Sequence, residues 1–574
     1  MTWAILLALV LIPLVFAAMI PSRPSGHAKG VALAGMILPL FALVFLAGLF
    51  DWSRPHHMQH EATLEWLPTL GLSLSVGVDG VSMLLIILTG LLGPICVLGS
   101  FTAIRENEKT FYSWLLILQS AMFGVFMARD LVLFYLCFEF TLVPMYVLIS
   151  LFGSSNRKAA ATKFFLYTFT GSIVALAGLV YVVVHTFQTT GLWTMDIGTL
   201  GEAARAMSLR EQALVMGAML LGFGVKVPLF PFHTWLPLAH TEAPTAGSVV
   251  LAGVLLKLGT YGLYRFVLPF TPAAIVEYAS LLGVICIVGI LYGGLICWVQ
   301  TDVKKLVAYS SVAHLGFCVL GMLAINATGL QGSVLYMINH GLSTGALFLL
   351  IGMVYERYHT RSMRELGGLA SRMPVWATFM VFFAMASVGL PGLNGFVSEF
   401  LCLLGTFQSS DGWGRPDVAG TPGLLGPWYA LFAGFGMVVA AIYLLFMVGK
   451  VVWGPLVLPG GAHKHASSHG HGGGHGHGDG DAGGHKHDDD HLPTDLTFRE
   501  ISVLAPLAVL CIALGLFPQP VMAILEAPVN QTVRLVIDHR EAPSHGPTRT
   551  TPSAPAHAAA PVVLAPHSTP EGEQ

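Results

Sequence analysis

Apolar runs of about 20 residues, separated by short polar segments, recur from the N-terminus to about residue 517. A run of this length lets an α-helix cross about 30 Å of hydrocarbon. The short alternating segments typical of a membrane β-barrel are absent from the pattern. The pattern predicts an all-α polytopic membrane protein with about 14 spans. They lie near residues 3–20, 30–50, 78–101, 112–128, 131–151, 163–186, 212–241, 246–268, 276–299, 307–326, 331–355, 374–407, 427–453 and 499–517.

Basic residues in the loops predict the orientation of these spans. The first apolar run has no basic residue before it, which favours a retained span with an exported N-terminus. The inner loops then carry most of the basic residues, as the positive-inside rule requires. These are Arg23, Lys29, Arg105, Lys109, Arg157, Lys158, Lys163, Lys304, Lys305, Arg357, Arg361, Arg364 and Arg372. We expect a bacterial inner (cytoplasmic) membrane protein with both termini on the periplasmic side.

Proline and glycine interrupt two of the predicted spans. The seventh carries Pro228, Pro231 and Pro237 around Lys226, and the twelfth carries Gly389, Pro391, Gly392 and Gly395 before Glu399. These residues weaken or remove helical hydrogen bonds, so both helices should break near the membrane centre. Broken backbone is tolerated there only where protein or a wet cavity surrounds it.

The two interruptions are an odd number of spans apart, so their helices run in opposite directions. This arrangement predicts two inverted five-helix repeats, each containing a broken helix. The predicted segments are an N-terminal group of three helices, two antiporter-like halves, a loop, the last span and a tail. Their ranges are 1–111, 112–268, 276–453, 454–498, 499–517 and 518–574.

Four charged residues lie inside predicted spans: Glu139, Lys226, Lys257 and Glu399. A charge at the membrane centre costs roughly 2.5–3.5 kcal/mol on insertion scales, so such residues usually mark a pathway for ions or protons. We expect Glu139 to pair with Lys226 and so to control whether this lysine holds its proton. Lys257 would receive that proton, and Glu399 would be the exit. The alternative interpretation is a purely structural ion pair.

Histidines extend this set of residues. His314 and His340 lie within spans ten and eleven, where a neutral imidazole can accept a proton on one nitrogen and release one from the other. Packing histidines that join helices are the alternative interpretation. His233 and His240, near the inner end of span seven, fit either helix-end caps or inner access for protons. Arg265 is expected to extend toward the outer interface.

The motifs around these residues resemble those of the antiporter-like membrane subunits of respiratory complex I. The longest is GVKVPLFPFHTWLPLAHTEAPTAGSVVLAGVLLKLGTYGLYRF at 224–266, joined by VGVDGVSM, FEFTLVPMY, YSSVAHLGF, NHGLSTGALFL and ASVGLPGLNGFVSEF. The resemblance covers about residues 1–455 and the last span. Glu399, where the sister subunits are expected to carry lysine, and the 14-span length indicate one of the three subunit types.

The resemblance implies that Glu139, Lys226, Lys257 and Glu399 form a central proton channel, with His314 and His340 between them. Proton movement would be driven by electron transfer from NADH to quinone in other subunits. NADH, FMN, iron–sulfur clusters and quinone would then belong to those partners, with no cofactor in this chain. Its partners would be other complex I membrane subunits, the two sister antiporter-like subunits among them, and the lipid bilayer; no nucleic acid partner is expected.

Two other functions stay open at the level of sequence. One is a subunit of a multi-subunit Na⁺/H⁺ antiporter or of a membrane-bound hydrogenase, which share this fold and most of these motifs. The other is a passive assembly scaffold, which the buried charges argue against because a scaffold gains nothing from them. All seven cysteines lie in apolar runs without CxxC spacing, so neither a disulfide framework nor an iron–sulfur site is predicted.

A histidine- and glycine-rich segment at 463–491 departs from the family pattern. Alternating His and Gly cannot form a packed core, so we expect a disordered loop on the inner side. A tolerated insertion is the first interpretation, and metal buffering or pH sensing is the alternative. The metal ligands would be His463, His465, His469, His471, His475, His477, His485 and His487. The Pro/Ala-rich tail from about 541 should be exported and unstructured.

Overall fold

The computed structural model describes residues 3–409, 425–457, 459 and 494–541, and the chain through Arg540 forms one compact unit. Its helices, in chain order, are α1 (Trp3–Met19), α2 (Ala28–Leu49), α3 (Gly80–Gly99), α4 (Glu108–Met127), α5 (Leu131–Phe140), α6 (Leu142–Phe152), α7 (Arg157–Thr190), α8 (Ile197–Arg205), α9 (Leu209–Lys226), α10 (Leu236–Glu242), α11 (Thr245–Phe270), α12 (Pro272–Trp298), α13 (Val303–Leu323), α14 (Ala327–Tyr358), α15 (Pro374–Val388), α16 (Asn394–Gln408), α17 (Pro427–Val451), α18 (Phe498–Leu516) and α19 (Gln519–Glu541). Short 3₁₀ turns lie at Ile20–Ser22, Ser25–His27, Pro68–Leu70 and Leu369–Ser371.

Twelve helical segments among the described residues are long and apolar enough to cross a membrane. They are α1 to α4, α5 with α6, α7, α11 to α14, α17 and α18. The two remaining predicted spans, the seventh and the twelfth, are the ones for which the sequence predicts a break. The prediction of an all-α polytopic membrane protein is therefore confirmed.

Both predicted helix breaks are present. In span seven, α9 ends at Lys226, and a series of turns leads to α10 at Leu236. In span twelve, α15 ends at Val388, and α16 begins at Asn394. Gly389 caps α15 with a φ of +81°, in the left-handed region that glycine adopts without a steric penalty.

In each half of the molecule the broken span packs along the span before it. The first part of span seven, α9, packs along α7, whereas in span twelve it is the second part, α16, that packs most closely along α14. Spans six and seven thus pair as spans eleven and twelve do, although different parts of the broken span make the main contact. The most apolar 18-residue stretches of α11 and α14 are wholly buried, and that of α13 is nearly so. These three helices form the wall that carries Lys257, His314 and His340.

One β-hairpin lies among the helices of the described residues. Strand β1 (Gln59–Leu67) pairs antiparallel with β2 (Leu72–Val78), with Thr63 opposite Ser75. The hairpin lies between α2 and α3, outside the apolar runs. Strand β2, LSLSVGV, has the period-2 alternation of a strand, but one such segment is not the repeated pattern of a membrane β-barrel.

Two further features add to the sequence-based expectation. Helix α19 occupies residues that the sequence assigned to the tail; the other segment boundaries stay predictions. Arg265 has a fixed polar partner, because its guanidinium Nη2 lies 2.5 Å from Oδ2 of Asp79, the residue that caps the start of α3. Buried Asp79 thus has a fixed partner that joins α3 to α11.

Candidate functional site

Lys226 is held by the end of another helix. Its Nζ donates a hydrogen bond of 2.9 Å to the carbonyl oxygen of Phe138, lies 3.5 Å from Thr141 Oγ1, and sits 3.3 Å from the centre of the Phe138 ring. Helix α5 ends at Phe140, and carbonyls in the last turn of a helix lack helical partners and carry partial negative charge. The interruption between α5 and α6 therefore supplies an acceptor for a buried ammonium group.

Glu139 lies beside this contact without joining it. Both of its carboxylate oxygens are buried and have no hydrogen-bond partner among the described residues. The carboxylate nevertheless interacts electrostatically with Lys226. The direct ion pair expected from the sequence is thus replaced by a through-space interaction, in which Lys226 binds the backbone next to Glu139.

Lys257 lies between two π-helical segments of α11, Leu251–Leu255 and Leu263–Val267. Its Nζ lies 2.7 Å from Nδ1 of His340 on α14 and also donates to the carbonyl oxygen of Ala252. Such single-turn π segments are rare and occur frequently at functional sites. The structure therefore brings together two of the residues predicted from the sequence, and it does so at an irregular part of the helix.

The two buried histidines form the next contact. The rings of His314 on α13 and His340 on α14 are 5.8 Å apart and nearly perpendicular. Nε2 of His314 lies 3.3 Å from the hydroxyl of Tyr443 on α17, while Nε2 of His340 is buried without a partner among the described residues. His314 thus has a polar partner, and His340 has one ring nitrogen without a partner. A histidine that only packs helices together requires neither feature.

Glu399 on α16 is hydrogen-bonded to a tyrosine of α14. Its Oε1 accepts a hydrogen bond of 2.5 Å from the hydroxyl of Tyr336, which is one turn before His340 on α14. Its Oε2 faces Gly389, where an added Cβ would lie only 2.6 Å away. The carboxylate therefore occupies the space that the second helix break leaves open.

Tyr336 and Tyr443 were missed in the sequence. Tyr336 had a usable signal, since residues four positions apart share a helix face and His340 was already a candidate. Tyr443 lies in an apolar span far from the other candidates in sequence, and only the packing of α17 brings it to His314. Lys226 with its contacts Phe138 and Thr141 is called the Lys226 cluster. No hydrogen bond among the described residues links this cluster to Lys257, so the two halves of the site are separate in this structure.

The two histidines near the inner end of span seven have different surroundings. His240 is fully buried on α10, stacks on Phe348 at 4.5 Å, and has no partner among the described residues for either ring nitrogen. His233 lies in the helix break with its ring 5.5 Å from Tyr292. The His-rich segment and its eight candidate ligands lie outside the described residues.

The fold and these contacts define a polytopic membrane protein with two broken helices and a buried row of charged, histidine and tyrosine side chains. A family model described as NADH:quinone oxidoreductase/Mrp antiporter, TM, matches residues 128–415. The chain belongs to this family, which confirms the resemblance seen in its motifs.

Curated relatives agree on the type of subunit. NADH-quinone oxidoreductase subunit M of Pseudomonas aeruginosa is 39% identical over 514 residues, covering 88% of this chain and 91% of the relative. The subunit M of Rhodobacter capsulatus is 38% identical, covering 91% and 95%. NADH-ubiquinone oxidoreductase chain 4 of Marchantia polymorpha is 38% identical, covering 78% and 86%. The subunit type indicated by Glu399 and the number of spans is thereby confirmed.

Solved structures show the same fold. A chain of respiratory complex I from Thermus thermophilus superposes with a TM-score of 0.76 at 27% identity, covering 92% of this chain and 99% of that one. A chain of the Mrp complex from Dietzia gives a TM-score of 0.72 at 21% identity, covering 93% and 99%. The second comparison supports the fold alone.

Proposed function

We propose that this chain is the proton-translocating membrane subunit of an NADH–quinone oxidoreductase. The observation that carries the proposal is the buried series of contacts from Lys257 through His340 and His314 to Tyr336 and Glu399. It crosses from the first half of the molecule to the second. Every member is a group that can accept or donate a proton, and all are shielded from lipid.

The proton would enter this series from the Lys226 cluster. Movement of Glu139 toward or away from Lys226 would change how firmly the lysine holds its proton, because a nearby carboxylate stabilises the ammonium form. Lys257 would then take up a proton and pass it to Nδ1 of His340, with release from Nε2 of the same ring. His314 and Tyr336 would carry it onward to Glu399 as the exit.

The energy for this movement would come from other subunits. Relatives named as NADH-quinone oxidoreductase subunits support a place in that enzyme, a translocase whose NADH, FMN, iron–sulfur clusters and quinone are carried by its partners. The partners would be the remaining membrane subunits of complex I, including the antiporter-like subunits L and N. We place the chain in the bacterial inner membrane, with both termini on the periplasmic side.

A second candidate is a subunit of a multi-subunit Na⁺/H⁺ antiporter or membrane-bound hydrogenase. The family description and the Mrp fold are compatible with it. The relatives of 38–39% identity, all named as NADH oxidoreductase subunits, favour the first proposal. Neighbouring genes distinguish the two, since only the first requires an NADH module and a quinone-site subunit.

The test is NADH-driven proton uptake in membrane vesicles that carry Lys226→Ala, with quinone reduction followed in parallel. We expect loss of both activities, because removal of the ammonium leaves Glu139 without its electrostatic partner and interrupts the pathway. The exposed Lys158→Ala is the matched control and should behave as wild type. Normal rates of both activities in Lys226→Ala would reduce Glu139 and Lys226 to a structural pair.

A further inference from the structure

A polar cavity of about 520 Å³ lies at the inner ends of α3, α6, α10, α13 and α14, in the proposed orientation. Its wall includes the charged residues Glu242, Lys304, Glu356 and Arg361. None of the proton-pathway residues named above lines it. The cavity therefore reaches into the protein from the inner side but stops short of the pathway.

Lys304 forms part of the cavity wall. It lies in the first turn of α13, only 6% of it is exposed, and its Nζ donates a hydrogen bond of 2.6 Å to the carbonyl oxygen of Ala243. Ala243 caps the end of α10, where carbonyl groups attract positive charge. Its neighbours Asp302, Glu242 and Arg361 all act on it electrostatically.

His240 lies on the helix whose end accepts the hydrogen bond from Lys304. It is on α10, two residues before Glu242, and α10 packs against α13. Its ring stacks on Phe348 of α14, the helix that also carries His340. A buried imidazole with two unpartnered nitrogens is unusual, because buried polar groups are nearly always hydrogen-bonded. His240 is therefore a buried proton acceptor on the helix that Lys304 contacts.

We propose that Lys304 is a gating residue that controls proton passage from the inner cavity through His240 to the Lys257–His340 pair. While its ammonium is anchored on Ala243, like charge opposes the arrival of a proton on His240. Glu242 offers an alternative position, because its carboxylate is fixed in the cavity wall by Ser154 Oγ at 2.6 Å and the Asn156 amide at 2.9 Å. Movement of the lysine toward that carboxylate opens the gate.

Protons pass through His240 while this gate is open. A proton from cavity water binds one nitrogen of His240, and the other nitrogen releases a proton toward Lys257 or His340, so the imidazole returns to its neutral form. Return of Lys304 to Ala243 then prevents back-flow. This inference rests on the proposed function and adds a second, direct entry to the Lys257–His340 pair beside the one from Lys226.

The test compares Lys304→Met with Lys305→Met in the assembled complex. The adjacent Lys305 is exposed, and both positions receive the same helix cap from Asp302, so the pair differs in burial and contacts alone. In Lys304→Met we expect quinone reduction to continue while protons taken up per electron fall several-fold. Proton leak under an imposed pH gradient without NADH should rise. Lys304→Arg should keep both the leak and the number of protons taken up per electron at the wild-type values. A proton-to-electron ratio and leak equal to those of Lys305→Met would overturn the proposal.

A second measurement decides the matter if Lys304→Met does not assemble. Thr245 lines the same cavity, and Thr245→Cys can be modified from the inner side with a cationic thiol reagent. We expect this fixed positive charge to slow proton uptake several-fold, with no effect of the reagent on the unsubstituted chain. Failure to react, or reaction without effect, would contradict the gate. Normal proton uptake in Lys257→Ala would instead contradict the proposed function itself.

Discussion

At the scale of single residues, each buried charge of the central site except Glu139 has a partner from an irregular backbone segment or from a neighbouring helix. Lys226 binds the Phe138 carbonyl at the end of α5, Lys257 binds Ala252 and His340, and Glu399 binds Tyr336. Isolated charges at these depths would cost roughly 2.5–3.5 kcal/mol each. The observed partners reduce that cost and leave groups that can exchange protons.

Tyr336→Phe tests the last of these contacts. A hydrogen bond to a charged group contributes about 1.5–3 kcal/mol, so we expect proton uptake to fall about tenfold or more. The change removes both the partner of Glu399 and the hydroxyl that connects it to the histidines. NADH-driven proton uptake and quinone reduction in vesicles are the measurements. Tyr278→Phe, at a residue 39% exposed on α12, is the control, and equal rates in the two variants would contradict the predicted role.

At the scale of secondary-structure elements, helix irregularities coincide with the charged residues. The interruption at Thr141 holds Lys226, the two π segments of α11 flank Lys257, and the gap between α15 and α16 receives Glu399. Each irregularity removes or displaces backbone hydrogen bonds in a place where the protein, and not lipid, surrounds the helix. The elements thus provide both the acceptors and the space that the charges occupy.

Gly389→Ala tests the second helix break, with Gly392→Ala as its matched control. Both glycines have positive φ, +81° and +94°, so alanine carries a similar backbone cost of about 1–2 kcal/mol at either position. Only the Cβ at position 389 would meet Glu399, at 2.6 Å from Oε2; that at 392 would lie 3.8 Å from its nearest neighbour, Leu516.

We therefore expect Gly389→Ala to lower proton uptake roughly five-fold or more beyond the effect of Gly392→Ala, because a further 1–2 kcal/mol changes a rate or equilibrium by about 5–30-fold. Proton uptake per amount of assembled complex is the quantity to compare. Equal losses in the two variants would show that backbone strain alone, and not displacement of Glu399, is responsible.

At the scale of the whole molecule, long-range contacts fix the chain on either side of the His-rich segment. Before it, Val457 pairs with Gly367. After it, Arg357 donates to the backbone of Thr494 and Asp495 and forms an ion pair of 2.8 Å with Glu500 at the start of α18. The last span is therefore attached to α14 by contacts that do not involve the segment between them.

Deletion of residues 463–491 should accordingly leave NADH-driven proton uptake and assembly unchanged. The anchors at both ends remain, so α18 can take its place without the segment. Zinc or nickel binding by the purified complex should fall at the same time. A deletion variant that binds less metal and also pumps less would support a regulatory role for the histidines in place of a tolerated insertion.

The sequence by itself determined the membrane class, the spans and the two helix breaks. A bilayer admits only backbone that satisfies its own hydrogen bonds, so long apolar runs can only be helices, and Pro and Gly mark the places where such helices break. Glu139, Lys226, Lys257 and Glu399 were visible for the same reason, since charge inside an apolar run stands out. Helix α19 had a weaker signal in the spacing of its buried Leu525, Val529, Val533 and Val536.

Only the tertiary structure decided which of these residues touch. The contacts of Lys257 with His340, of Tyr443 with His314 and of Lys304 with Ala243 join residues that are 61 to 129 positions apart. The choice of the Phe138 carbonyl over Glu139 as the partner of Lys226 likewise depends on how α9 meets the end of α5. Hydropathy shows whether each residue lies in an apolar segment but not which helix it contacts. The contacts of the pathway can therefore be identified only from the packed structure.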